Sequence, residues 1–288
     1  MTTLAITGAS GNLGRATLRH LLSRGVPGGQ IILVVRDESK VKDAAASGVQ
    51  VRHGDYTDAA SLQRAFQGVD RLLFISTSAL GDERMRHHGN VVNAARAAKV
   101  GHVTYTSVIK PSATAKFAAS PGHFHTERLL NEAGLPSTFF RNNLYMDLVP
   151  WLFGSAIESG VLMSCAGDGR VGFVTRDDMA QALARVLADS ASPKTAYAMT
   201  PTRPAYGLAE VATELGRAKG KTIQYMSVSE EEFRNTLAKV GTPPPAIEMA
   251  VGLAQAMRAG EFDASSPDLE TLLGRPPVDL RTMLSAGR

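Results

Sequence analysis

Residues 3–15 constrain the fold of this chain more than any other stretch. The run Thr3-Leu4-Ala5-Ile6-Thr7 passes directly into Gly8-Ala9-Ser10-Gly11-Asn12-Leu13-Gly14-Arg15. An apolar run able to form a buried strand is followed by glycines at G-x-x-G-x-x-G spacing and then by a helical pattern. Gly8 allows a tight turn out of the strand, Gly11 lets a diphosphate approach bare backbone, and Gly14 lets the helix pack closely on the sheet. The N–H groups and partial positive charge at the new helix's N-terminus would then hold phosphates. Strand, glycine turn and helix in succession are the context such a motif requires. Thr7, Gly8, Ala9, Ser10, Gly11, Asn12, Leu13 and Gly14 are therefore the expected phosphate-side residues of a dinucleotide site.

The rest of the first half repeats the alternation. Leu18, Leu21 and Leu22 recur at helical spacing, and Ile31–Val35 reads as a second buried strand. Strand-like runs follow at Val49–Val51, Arg71–Ser76, His102–Ser107 and Ser137–Arg141, with a helical pattern at Val91, Ala94, Ala95 and Ala98 among them. Such alternation predicts an α/β fold, a Rossmann-type doubly wound parallel sheet with ligands beyond the C-terminal strand ends. From Tyr145 the pattern changes: an apolar Leu148–Phe153 segment, a glycine-rich turn at Ala166–Gly169, a helix around Met179–Leu187 and a strand at Tyr197–Met199. A helix at Leu208–Lys219, a strand at Ile223–Tyr225 and a break at Thr242–Pro245 precede a last helical stretch. The expected division is residues 1–144 as the nucleotide-binding domain and 145–288 as a smaller C-terminal α/β lobe, with chain exchange back to the sheet allowed. Arg176-Asp177-Asp178 is expected to fasten the lobe to the sheet by capping and an ion pair.

Composition excludes several classes. Thirty-one basic against 27 acidic residues give a net charge of +4, without a basic block or interleaved aromatics, so no nucleic-acid partner is expected. No apolar run approaches the roughly 18 residues that span a bilayer, and Met1 leads directly into the first strand, so neither membrane nor export is expected. The single cysteine, Cys165, fits a reducing cytoplasm and reads as a buried thiol. A homodimer is compatible with this pattern.

The second strand ends in Arg36, where an NAD site typically carries an acidic residue for the adenosine 2′-hydroxyl. Arginine instead offers a planar cation to a 2′-phosphate, which favours NADP(H) over NAD(H). Asp37 follows immediately, and Arg15 and Lys40 would add positive charge nearby. Asp55 and Tyr56, after the third strand, are placed to meet the adenine, with a turn or helix cap as the alternative for Asp55. Ser76, Thr77 and Ser78 end the fourth strand, where small hydroxyl residues suit a chain passing under the cofactor.

The glycine turn, Val35-Arg36-Asp37, His88–Asn93, Tyr105-Thr106-Ser107, Arg141–Tyr145, Ala166–Gly169 and the ending Leu273–Pro277 resemble the NmrA-like branch of the atypical short-chain dehydrogenases, in particular its quinone- and dye-reducing members. The resemblance spans nearly the whole chain. It implies an NADPH-binding domain, a smaller substrate lobe and hydride transfer to quinone-like acceptors without flavin. It also implies positions near the cofactor for His88, Thr106 and Ser107.

Ordinary short-chain dehydrogenases pair a tyrosine with a lysine four residues on, which lowers the tyrosine's pKa for proton transfer. Here Tyr56, Tyr105, Tyr145, Tyr197, Tyr206 and Tyr225 are followed at that distance by Ala60, Ile109, Val149, Pro201, Glu210 and Ser229. The corresponding segment reads His123-Phe124-His125-Thr126-Glu127. A ketone needs a proton in step with hydride, whereas a quinone gives a phenolate-type product with a pKa of about 10. A cationic dye needs no proton at all. A relay-free site is thus matched to electrophilic acceptors, where catalysis is mostly positioning.

His123, oriented by Glu127 on the same helix face, is the expected weak acid, with a surface ion pair as the alternative. Nothing completes a metal-ligand set around these residues. Asn142, Asn143 and Tyr145 are placed to reach the nicotinamide end, with Asn142 and Tyr145 beside the reacting atoms. Met146, Trp151 and Phe153 are the expected apolar wall for a small aromatic substrate, or else core residues joining lobe to sheet. Two other readings share these features: a non-catalytic NADP(H)-binding redox sensor, and an isoflavone-reductase-like enzyme, which would need a catalytic lysine.

Overall fold

The apolar runs of the first half become parallel strands buried on both faces. A computed structural model describes residues 2–189 and 194–286. Its strands are β1 (Leu4–Thr7), β2 (Ile31–Val35), β3 (Gln50–His53), β4 (Arg71–Phe74), β5 (His102–Val108), β6 (Ser137–Asn142), β7 (Val161–Ser164), β8 (Arg170–Val171), β9 (Ala196–Met199), β10 (Tyr206–Gly207) and β11 (Gln224–Ser227). The helices are α1 (Asn12–Ser23), α2 (Lys42–Ala45), α3 (Ala59–Ala65), α4 (Gly81–Ala97), α5 (Ser120–Glu132), α6 (Val149–Phe153) and α7 (Ala156–Ser159). They continue with α8 (Arg176–Ala188), α9 (Leu208–Lys219), α10 (Glu230–Lys239), α11 (Pro244–Arg258), α12 (Asp268–Leu273) and α13 (Leu280–Ala286).

The main sheet has the order β3-β2-β1-β4-β5-β6-β9. Every pair from β3 to β6 in that order is parallel, as in the expected Rossmann-type arrangement. All residues of β1 and β2 are buried because helices cover both sides, which is why these strands read as unbroken apolar runs. On one face Ala5, Ile32, Leu72, Val103 and Phe139 pack with Leu62 and Phe66, with Val91 and Val92 of α4, and with Leu130 of α5. Against the other face α1 and α8 lie together, Leu18 and Leu21 of α1 and Met179, Leu183 and Leu187 of α8 being buried. The sheet order reverses at β1, which leaves a crevice beyond its C-terminal end.

Two compact units share the chain. The first gathers residues 1–113, 121–142 and 176–197, and the second residues 114–120, 143–175 and 198–288. One crossing falls at Asn142–Asn143, and α8 returns the chain to the first unit. Asp177 holds α8 to α1 by accepting from Arg19 and, at 2.9 Å, contacting Nε2 of His20. This ion pair lies within the sheet-bearing unit.

Within the second unit, β11 pairs in parallel with β7 and β10 antiparallel with β8. Strands β7, β8 and β10 carry no alternating signature over their two to four residues, so the sequence reading passes over them. Cys165 is buried, and burial pushes its thiol pKa up, so it packs as a small apolar group. Among the described residues, no helix is long and apolar enough to cross a membrane, and no three or more His, Cys, Asp or Glu gather to hold a metal ion.

The contact between α1 and the strand that precedes it depends on a missing side chain. A Cβ at Gly14 would stand 2.6 Å from the Gly8 carbonyl oxygen and 2.7 Å from Ala9 Cα, both fixed backbone. Gly14→Ala is therefore expected to destabilise the protein by about 1–3 kcal/mol through overpacking, against the better helix propensity of alanine. The measurement is the urea midpoint; an unchanged midpoint would show that the turn can yield.

Candidate cofactor site

A crevice of about 560 Å³ opens beyond the C-terminal ends of β1 to β4. Gly8, Ser10 and Gly11 form one side, with Val34, Val35 and Arg36 at the end of β2 and Gly54 to Thr57 after β3. The loop Ile75 to Ala79 after β4, with Glu83 and His87 of α4, completes the lining. Gly8 has φ +61°, a conformation that favours glycine, and a Cβ there would press on Ile75 at 3.3 Å. The Gly11 N–H closes the turn on the Gly8 carbonyl at 3.0 Å. Gly11 is also the N-cap of α1 and has no side chain to cap it, so the first-turn N–H groups face the crevice side uncapped.

Charge is distributed unevenly around this opening. Arg36 is exposed and makes no hydrogen bond or ion pair with any described residue. Asp37 does not compete for it: its carboxylate accepts from the Ser39 hydroxyl (2.5 Å) and N–H (3.0 Å), which holds its pKa below the usual range. Arg15 is committed elsewhere, to the Ser10 carbonyl (3.1 Å), Asp43 (3.0 Å) and the Lys40 carbonyl. Asp55 takes the turn role, accepting the Thr57 N–H at 2.8 Å, while Asp58 caps α3. Burial opposes the Asp55 charge, but the Thr57 bonds and the nearby Arg36 outweigh it and keep the carboxyl below its ordinary value. Tyr56 is fixed by its hydroxyl, 2.6 Å from both the Ile75 carbonyl and Thr7 Oγ1, and burial pushes its pKa up. Thr7 also accepts the Ile75 N–H at 3.1 Å, so one buried hydroxyl ties β1 to the β4 loop.

Side chains rather than a sheet ladder hold the Ser76–Ala79 loop. Ser76 N–H donates to Thr106 Oγ1 (2.9 Å), and Thr77 N–H to His88 Nε2 (3.1 Å). Arg84 donates from Nε to the Ala79 carbonyl and from Nη2 to the Thr77 carbonyl, each at 2.8 Å. These bonds dictate protonation. A backbone N–H needs a lone pair, so His88 is neutral with its hydrogen on Nδ1, 2.8 Å from Thr126 Oγ1. Arg84 Nη1 lies 3.0 Å from His123 Nε2, so His123 is likewise neutral and gives its Nδ1 hydrogen to Tyr105 at 2.7 Å. Burial, reinforced by the Arg84 charge, pushes both histidines well below their ordinary pKa. Arg84 itself is 4% exposed and has no carboxylate within ion-pair distance among the described residues. The room for its stem comes from Gly122, where a Cβ would fall 2.4 Å from Arg84 Cδ.

The structure separates the expected site residues into several groups. Gly8, Ser10, Gly11, Arg36, Asp55, Tyr56, Ser76, Thr77 and Ser78 line the crevice. Ala9 and Leu13 are buried beneath it, Asn12 is exposed in the first turn of α1, and Thr7, Thr106 and His88 brace the lining from behind. Ser107 donates to Glu127 at 2.6 Å, and Arg141 clamps the same carboxylate at 3.0 and 2.7 Å. Glu127 therefore does not orient His123, and His123, with its one hydrogen held by Tyr105, has no free proton to give as a weak acid. Asn142 is buried at the end of β6. Asn143 belongs to the second unit, bonded to Thr200 (3.2 Å), the Phe262 carbonyl (2.9 Å) and Leu144 N–H (2.8 Å). Tyr145 bridges Val174 there; Met146 is fully buried, Phe153 half-buried and Trp151 68% exposed. Met146 is thus core, and Trp151 is not.

Several crevice residues escape the sequence reading: Val34, Val35, Gly54, Thr57, Ile75, Ala79, Glu83 and His87. The strand-end rule would have found most of them. Glu83, Arg84 and His87 carry no motif; their roles come from the face that α4 turns to the loop.

The residues present fit a dinucleotide, with a bare-backbone cradle at a helix N-terminus and an unneutralised guanidinium at the end of β2. The NmrA-like family model matches residues 1–280. Quinone oxidoreductase 2 of Escherichia coli is 37% identical over 283 residues, 98% of this chain and 97% of that protein. Among solved structures, the E. coli NADPH-dependent quinone oxidoreductase complexed with NADPH superposes with a TM-score of 0.92 at 35% identity, covering 99% of both chains. The Citrobacter sp. triphenylmethane reductase complexed with NADP(H) gives 0.91 at 36%, covering 99% of this chain and all of that one (100%). The chain belongs to the NmrA-like family.

Proposed function

We propose that this chain is an NADPH-dependent oxidoreductase that passes hydride directly, without flavin, to quinones or similarly electrophilic conjugated acceptors. The observation that carries the reading is Arg36: a guanidinium with no hydrogen bond or ion pair among the described residues, at the end of β2 in the same crevice as the glycine turn. Relatives that cover nearly the whole chain are named for NADPH-dependent quinone and triphenylmethane reduction, which supports the same acceptor class.

Bound in the crevice, the dihydronicotinamide would supply the hydride. The protein's part is to bind and orient. The first-turn N–H groups of α1 face the diphosphate, and Arg36 the 2′-phosphate. The Ser76–Ala79 loop, hydrogen-bonded by Arg84 and His88, lines the crevice beneath the nucleotide. Asn142, at the end of β6 in the sheet-bearing unit, is the residue assigned here to the reacting end. His123 acts through Tyr105 and Arg84 as a positioning residue, and water protonates the phenolate-type product, whose pKa of about 10 makes that step undemanding.

Two outcomes test this. Arg36→Asp is expected to lower the NADPH-over-NADH ratio of kcat/KM by about a hundredfold, the loss of a charge-assisted contact and its replacement by a repulsive one; an unchanged ratio would remove Arg36 from the assignment. With NADPH deuterated at C4 and a cationic triarylmethyl dye as acceptor, flavin-free protein should place the label on the central carbon of the dye. Label lost to solvent, or turnover only after flavin is added, would contradict direct transfer.

A further inference from the structure

Among the described residues, His87 is the buried crevice-lining side chain whose polar atoms are left with nothing to bond. It is 7% exposed, it lines the opening, and neither Nδ1 nor Nε2 has a hydrogen-bond partner among the described residues. Glu83, one turn earlier, reaches only to 3.7 Å from Nε2, too long for a hydrogen bond. Its neighbour in sequence shows the contrast, since both nitrogens of His88 are bonded. A buried polar group without a partner is destabilising, so one on the wall of a cavity calls for a ligand that completes it.

The position of His87 indicates which part of a dinucleotide it would meet. Asn90, three residues on and so on the same face of α4, donates to the Tyr56 carbonyl at 2.9 Å. His87 is therefore placed next to the side of the crevice that Asp55, Tyr56 and Thr57 form after β3. The β2–β3 side is where Rossmann-type sheets receive the adenosine half. Adenine carries an exocyclic amino donor on its edge, and a neutral imidazole always keeps one unprotonated nitrogen to accept it. We infer that His87 recognises the purine base of the cofactor, accepting a hydrogen bond from the adenine amino group. The inference rests on the reading that the crevice holds NADP(H), and it assigns base recognition to a residue outside the glycine turn and the Arg36 position.

The test compares wild type, His87→Leu and His87→Gln by calorimetric titration with NADP+ and with its 1,N6-etheno derivative, which has no amino N–H. Wild type should prefer NADP+ about tenfold, the worth of one hydrogen bond lost with its partner left unpaired. His87→Leu should lose that preference and weaken NADP+ binding to the same degree, while its thermal midpoint without ligand stays level or rises, because an unpaired polar group is gone. His87→Gln should bind NADP+ within about threefold of wild type. A His87→Leu protein that binds NADP+ like wild type, or that keeps the wild-type preference over the etheno derivative, overturns the inference. Wild type that binds neither nucleotide overturns it together with the cofactor reading. Normal NADP+ binding without quinone reduction would sink only the proposed reaction, since turnover plays no part in this readout.

Discussion

The close approach of α1 to the end of β1 is the contact on which the rest depends. Gly14 lies against the Gly8–Ala9 backbone with no space for a side chain, and Gly8 turns the chain with a positive φ. This geometry sets a helix N-terminus against bare backbone, so phosphate oxygens can be met by N–H groups rather than by long cations. Arg36, in the crevice lining and without a hydrogen bond or ion pair among the described residues, would then be available to discriminate between nucleotides. In the proposed reading, diphosphate affinity and choice of nucleotide would be carried by different residues.

The second feature is a buried polar lattice behind the β4 loop. Arg84, His88, Tyr105, His123 and Thr126 are all nearly inaccessible, and each is bonded so that the next has a defined proton position. Such a lattice is costly unless complete, because burial penalises every unmet donor and acceptor. Here its members are bonded, and with Thr106 they hold the Ser76–Ala79 loop beside the cavity through four hydrogen bonds. In the proposed reaction such a lattice would serve positioning rather than proton relay.

Much of this was legible in the sequence. The glycine spacing and the continuous apolar runs of β1 and β2 give the sheet, the helix beside it and the crevice, because each is a local pattern with one physical cause. Arg36 at the end of β2 was legible for the same reason. The partners of His123 and Glu127 were not: spacing on one helix suggests a mutual pair, but Glu127 goes to Ser107 and Arg141, and His123 to Tyr105 and Arg84. Those partners come from β5, β6 and α4, and only the packing of the sheet brings them together. For Asp55 and Met146 residue type left two readings open, and the structure adds a turn bond to Thr57 for the first and burial for the second.

The central claim is that a pyridine nucleotide lies in this crevice with its diphosphate on the α1 turn and its adenosine toward Arg36. Diffraction from crystals grown with NADPH tests it most directly. The account predicts density for the diphosphate within hydrogen-bond distance of the backbone N–H groups that follow Gly11, with the 2′-phosphate against the Arg36 guanidinium. An empty crevice in crystals at saturating NADPH, or a nucleotide bound with its adenosine away from Arg36, would contradict it.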